Sequence, residues 1–111
     1  MGNVTTHVLD AARGRPAAGV PVVLERRTGG DWQRLAEGLT DHDGRCRDLT
    51  PGSLGAGVHR LLFDTGAYFS AAGQRTFYPE VAVTFDVGDV DQHYHVPLLL
   101  SPFSYTTYRG S

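Results

Sequence analysis

The side chains able to do chemistry in this chain are few in kind. It has five histidines (His7, His42, His59, His93 and His95), ten arginines, no lysine and a single cysteine, Cys46. Without lysine there is neither a Schiff-base nucleophile nor a P-loop cation. One cysteine cannot close an internal disulfide, and no Cys/His spacing of a metal site surrounds it. A Gly-x-Ser-x-Gly elbow is absent, and no strong base motif accompanies Cys46, so covalent catalysis has no support. What remains is imidazole, guanidinium and hydroxyl chemistry. That set suits activation of water by a histidine, with a cation stabilising the oxyanion that develops.

Among the histidines only His93 and His95 are two apart, the spacing that puts side chains on one face of a strand. The pair allows metal ligation, or a base beside a neighbour, and it equally allows two half-exposed strand histidines. Zinc needs a third ligand and usually a fourth, so no metal is expected. The stretch Thr40-Asp41-His42-Asp43-Gly44-Arg45 looks superficially like a calcium loop. It lacks the third acidic position before the glycine and the closing glutamate. Its local reading is a tight turn that presents Arg45, either held against rigid structure or simply solvated. The chain ends on Tyr108-Arg109-Gly110-Ser111 with no polar tail beyond. A buried terminal carboxylate would be a further charge to place, whereas a frayed, solvated end is the ordinary state.

The elements that must carry these groups are short strands. Fourteen glycines and six prolines punctuate the chain. Between them lie β-rich runs at Asn3–Leu9, Val20–Arg26, Trp32–Ala36 and Gly57–Asp64, with a turn at Arg13–Ala17. Thr28-Gly29-Gly30-Asp31 and Asp43-Gly44 are turn signals, and a loop surrounds Pro51-Gly52. Thr65–Ala72 reads as a helix with Asp64 as its N-cap and Gly73 as its stop. Val81, Val83, Phe85 and Val87 alternate with Ala82, Thr84 and Asp86. Two last strands span about Gln92–Leu100 and Phe103–Arg109. Seven or eight strands of this kind predict an all-β sandwich of two sheets. In the Gln92–Leu100 run, Tyr94, Val96, Leu98 and Leu100 form the core face. The opposite face holds His93, His95, Pro97 and Leu99, which is too apolar for solvent, so a second subunit is expected to cover it. Pro97 sits awkwardly there, because proline is usually confined to edge strands and bulges.

Composition narrows the class further. The 111 residues, 41% hydrophobic, suit one domain over 1–111. Ten basic against twelve acidic residues give a net charge of -2, which argues against nucleic acid as a partner. No apolar run reaches about 18 residues, so no membrane span is expected. The N-terminus lacks a basic region followed by an apolar stretch, and no peroxisomal signal stands at the C-terminus. A cytoplasmic location is therefore expected.

Three segments carry a family resemblance. Thr6-His7-Val8-Leu9-Asp10, then Thr40-Asp41 with Gly44-Arg45, and then the run from His93 to Pro102 are similar to the 5-hydroxyisourate hydrolases, the transthyretin-related enzymes of urate breakdown. Phe77-Tyr78-Pro79-Glu80-Val81 resembles another family segment, and Tyr108-Arg109-Gly110-Ser111 looks like the family's C-terminal signature. The tail is what separates these hydrolases from transthyretin proper, a hormone carrier on the same fold.

The resemblance implies a transthyretin/prealbumin-like β-sandwich of two four-stranded sheets with one short helix. It implies a homotetramer with active sites at the junction between dimers. By motif position the catalytic residues fall on His7, Arg45, His95 and Ser111, and substrate binding on Arg45, Tyr108, Arg109 and Gly110. His93 has a weaker claim, and His42 and His59 are expected to be dispensable. The implied reaction is attack of water on the C6 carbonyl of 5-hydroxyisourate, breaking the N1–C6 bond and giving 2-oxo-4-hydroxy-4-carboxy-5-ureidoimidazoline. It needs no metal or organic cofactor. The alternative is a transthyretin-like carrier of a small aromatic ligand, and fold alone does not decide between them.

Overall fold

The computed structural model describes residues 2–47, 49, 52 and 54–111. The alternating runs become strands because alternation places every second side chain on one face. The elements in chain order are β1 (Asn3–Asp10), β2 (Arg15–Pro16), β3 (Pro21–Thr28), β4 (Asp31–Leu39), β5 (Arg45–Cys46), β6 (Gly57–Phe63), α1 (Thr65–Ala71), β7 (Val81–Val87), β8 (His93–Ser101) and β9 (Ser104–Thr107). One sheet has the order β2-β1-β8-β9, with β5 also pairing β1, and the other has the order β4-β3-β6-β7. The first sheet departs from four strands because the outer edge of β1 is shared. Leu9 and Asp10 pair with β2, while Thr6 and His7 pair with Cys46 and Arg45 of β5. Pro51, at the centre of one expected loop, lies outside the described residues.

The core lies between the sheets. Val4 and Val8 of β1, Val22 and Leu24 of β3, Leu61 and Phe63 of β6, and Leu98 and Leu100 of β8 are all fully buried. Burying side chains of this size contributes about 1.5–3 kcal/mol each, so the even face of β8 is anchored and its odd face must point outward. The helix starts where expected, with the Asp64 carboxylate accepting from Ala67 N at 3.0 Å. Tyr68 on α1 ties the helix to β1. Its hydroxyl donates to the buried Asp10 carboxylate at 2.7 Å, and burial plus that bond raise the phenol to about 12.

Pro97 lies in an interior strand, contrary to the usual confinement of proline to edges. His95 O accepts from Gly110 N at 2.9 Å, so the odd residues of β8 turn their backbone groups toward β9 and the tail. Pro97 has no N–H to donate on that side. The ladder accordingly breaks after Thr107, whose hydroxyl donates to Pro97 O at 2.8 Å, and resumes only as the His95–Gly110 bridge.

Candidate active site

The outer face of the β1/β8 pair gathers the polar side chains. The two strands run parallel in a register that places Asn3 opposite His93, Thr5 opposite His95 and His7 opposite Pro97. Because the strand period is two, Asn3, Thr5 and His7 share the face that carries His93 and His95. Thr5 Oγ1 lies 3.0 Å from His93 Nε2 and 2.8 Å from His95 Nδ1. The two imidazoles stack with centroids 6.1 Å apart and planes 18° from parallel. His93 Nδ1 is hydrogen-bonded to the side-chain oxygen of Asn3.

Arg45 is delivered by a turn stitched to β1. The Asp41 carboxylate accepts from Asp43 N at 2.9 Å and Arg45 N at 3.0 Å, and these bonds hold its pKa below the usual carboxylate range. Val8 N donates to Gly44 O at 2.7 Å. Gly44 has φ +76°, and a Cβ there would strike the Val8 carbonyl, so glycine is required on both counts. The turn fixes Arg45 opposite His7. His7 Nε2 donates to the Asp43 carbonyl at 2.9 Å, an oxygen that can only accept.

The tail closes the other side. A Cβ on Gly110 would lie 2.5 Å from His95 Cδ2 and 3.2 Å from Pro97 Cγ, so only glycine lets the backbone lie on the His95 ring. Arg109 holds the approach, donating to Gln92 Oε1 at 2.9 Å with its guanidinium 4.9 Å from the centre of the Tyr94 ring. Ser111 then reaches a cleft of about 380 Å³ that it shares with Arg45, Arg47, Thr5, Thr6, Asn3, His93 and His95. Its lining side chains include two guanidiniums and no carboxylate. Burial lowers the pKa of His95, any charge on His93 adds to this, as do Arg45 and any charge on His7, and a hydrogen bond with the Thr5 backbone opposes it. The shift favours the neutral imidazole, whose Nε2 makes no hydrogen bond among the described residues. The arrangement offers a neutral base, two guanidiniums and a hydroxyl around one space.

The structure thus brings Arg45, His95 and Ser111 onto one cleft, with His7 opposite Arg45 in the ladder and Gly110 packed on the His95 ring. Tyr108 and Arg109 face an adjoining cleft of about 320 Å³, against Val83, Phe85 and Tyr94. His42 is exposed beside Asp43, and with Asp41 they form the one cluster of potential metal ligands among the described residues. His59 is not a surface histidine. It is fully buried on the core face of β6, stacked on Phe85, with Nδ1 bonded to Gly57 O at 2.9 Å and Nε2 unpaired. Replacing it by alanine would open a core cavity rather than leave the protein unchanged. Thr5, Asn3 and Arg47 escaped sequence reasoning. Strand periodicity put Asn3 and Thr5 on the face of His7, but nothing local told that β1 lies beside β8.

Comparison with known proteins agrees with this fold. The HIUase/Transthyretin family matches residues 4–110. The chain is 49% identical to a 5-hydroxyisourate hydrolase of Caulobacter vibrioides, each covering 100% of the other. It superposes on Klebsiella pneumoniae 5-hydroxyisourate hydrolase with TM-score 0.89 at 37% identity, again over 100% of both chains. It also superposes on sea bream transthyretin in complex with thyroxine with TM-score 0.91 at 39% identity, over 97% of this chain and 94% of that one. With the match running from β1 into the docked tail, the chain belongs to the HIUase/Transthyretin family.

Proposed function

We propose that the chain is a 5-hydroxyisourate hydrolase working at the β1/β8 cleft. The observation that carries this reading is a partly buried His95 that shares one cleft with Arg45 and Ser111, with the Gly110 backbone laid against its ring. In this reading His95 takes a proton from water, and the water oxygen attacks the C6 carbonyl. Such base catalysis is typically worth about 10² to 10⁴ in rate. Arg45 stabilises the developing oxyanion; its planar guanidinium suits a planar, polar, partly anionic substrate through two parallel hydrogen bonds. His7, with its Nε2–H spent on Asp43 O, keeps Nδ1 as its second proton site. The Ser111 hydroxyl positions the water or passes a proton to the departing N1. The N1–C6 bond breaks and 2-oxo-4-hydroxy-4-carboxy-5-ureidoimidazoline forms. Arg109 serves the site by pinning the tail that carries Gly110 and Ser111, through Gln92 and the Tyr94 ring.

The same reading includes a homotetramer with sites at the dimer–dimer junction. Its support is the outer β8 face, where half-buried Leu99 continues the line of the histidines beyond Pro97, which the chain itself already buries. A stable monomer at micromolar concentration in sedimentation would contradict the assembly.

A second reading, the carrier of a small aromatic ligand, is favoured by the likeness to sea bream transthyretin. Ultraviolet spectra of freshly generated 5-hydroxyisourate, with and without catalytic amounts of protein, separate the two. A hydrolase accelerates loss of the substrate band through many turnovers. A carrier leaves that loss unchanged and instead binds an aromatic ligand stoichiometrically.

A further inference from the structure

The geometry points to Thr5, His93 and Asn3 as positioning residues that fix the tautomer of His95 and leave its Nε2 bare toward the cleft. The inference rests on the active-site reading above, and it concerns residues to which that reading gives no task.

A single chain of hydrogen bonds links Asn3, His93, Thr5 and His95. The side-chain oxygen of Asn3 can only accept, so His93 Nδ1 carries a proton. Neutral His93 then has a bare Nε2, which at 3.0 Å can only accept the Thr5 hydroxyl proton. A threonine hydroxyl has one proton, so its oxygen is left to accept from the other side. The partner there is His95 Nδ1 at 2.8 Å, which must donate. A neutral His95 with its proton on Nδ1 has no proton on Nε2.

That outcome is not the one the ring would choose alone, since a free imidazole side chain favours the proton on Nε2. It is the one a base needs. The tail lies on Cδ2, the ring carbon next to Nε2, so the bare nitrogen is on the side where Ser111 joins the cleft. Fixing a catalytic imidazole by a hydrogen bond to its far nitrogen is the ordinary way to hold tautomer and orientation. Here a neutral hydroxyl does it beside a hydrogen bond with the Thr5 backbone, and the hydroxyl's own direction is set two residues away on each strand.

The tautomer can be read without substrate, by long-range ¹⁵N–¹H correlation of histidine-labelled protein at neutral pH. The proposal expects His95 protonated on Nδ1 in the wild type. Thr5→Ser, which keeps the hydroxyl, retains that signature. Thr5→Val and His93→Phe shift His95 toward the Nε2–H form, and kcat falls about 10- to 100-fold, the scale on which loss of an orienting partner acts, with KM little changed. A wild-type His95 protonated on Nε2 would overturn the proposal, even if neither variant folded. A Thr5→Val protein with unaltered tautomer and kcat would overturn it too. If the tautomers behave as expected but 5-hydroxyisourate is not turned over, the positioning chain stands and the assigned reaction falls.

Discussion

At His95 burial is the largest cause and, with Arg45 on the same side, outweighs a hydrogen bond with the Thr5 backbone, so its pKa lies below the ordinary value of about 6.5. The active form of a general base is the deprotonated one. kcat/KM should therefore rise with pH along a limb centred below 6.5 and be flat around neutrality; a limb centred above 7 would show that another group is the base. The residue types behind this site were open in the sequence. Histidine and arginine were the usable groups left once lysine and disulfide chemistry were excluded, and His93 and His95 announced a shared face by their spacing. What the residues alone could not convey is that a hydroxyl from β1 stands between those two rings. Thr5 is one of many threonines until the parallel partner of β1 is known.

Among the elements, the 41–45 turn and the tail are the two that place chemistry. The turn was legible because Asp43-Gly44 has a local cause, a left-handed glycine with an aspartate capping the backbone N–H groups. The parallel β1/β8 pairing was not, since partners 90 residues apart leave no local trace. The tail was legible only as a motif, and its docking depends on Pro97, whose missing N–H opens the ladder, and on Gly110, which closes it again. This makes the two ends of the chain unequal. A flexible tag before Met1 should leave most activity, while the same tag after Ser111 should cut it severely. Deletion of Tyr108 to Ser111 should abolish turnover and leave a β-type circular dichroism spectrum. Equal activity of the two tagged forms would remove the tail from the site.

For the whole molecule, the sandwich followed from the alternation of Val81 to Val87 and Tyr94 to Leu100, because sheets with one buried face write that pattern directly. The place of His59 did not, since a polar residue at a core position breaks the pattern that reveals the core. Its burial, helped by the nearby Arg26 and opposed by Asp86, lowers its pKa. The unfolded chain then binds the proton first. His59 therefore contributes stability above about pH 6.5 that is lost as the pH falls toward its folded value. His95 acts with the same sign. Thermal stability should decline from pH 7 to pH 5, and His59→Phe should flatten that decline. At neutral pH the substitution should change stability by less than about 1 kcal/mol, because removing an unpaired buried nitrogen is offset by loss of the Nδ1 bond to Gly57 O while a ring stays against Phe85. An unchanged acid slope in His59→Phe would assign the decline to other groups.

The central claim is that this family member hydrolyses 5-hydroxyisourate with His95 as the base. Its most direct test is the initial rate of loss of freshly generated 5-hydroxyisourate in the presence of wild type, His95→Asn and His42→Ala, each checked for the same fold by circular dichroism. The account predicts rapid turnover by wild type and His42→Ala, and a rate lowered by about two or more powers of ten in His95→Asn. Full activity in a folded His95→Asn protein, or no acceleration by wild type, would contradict it.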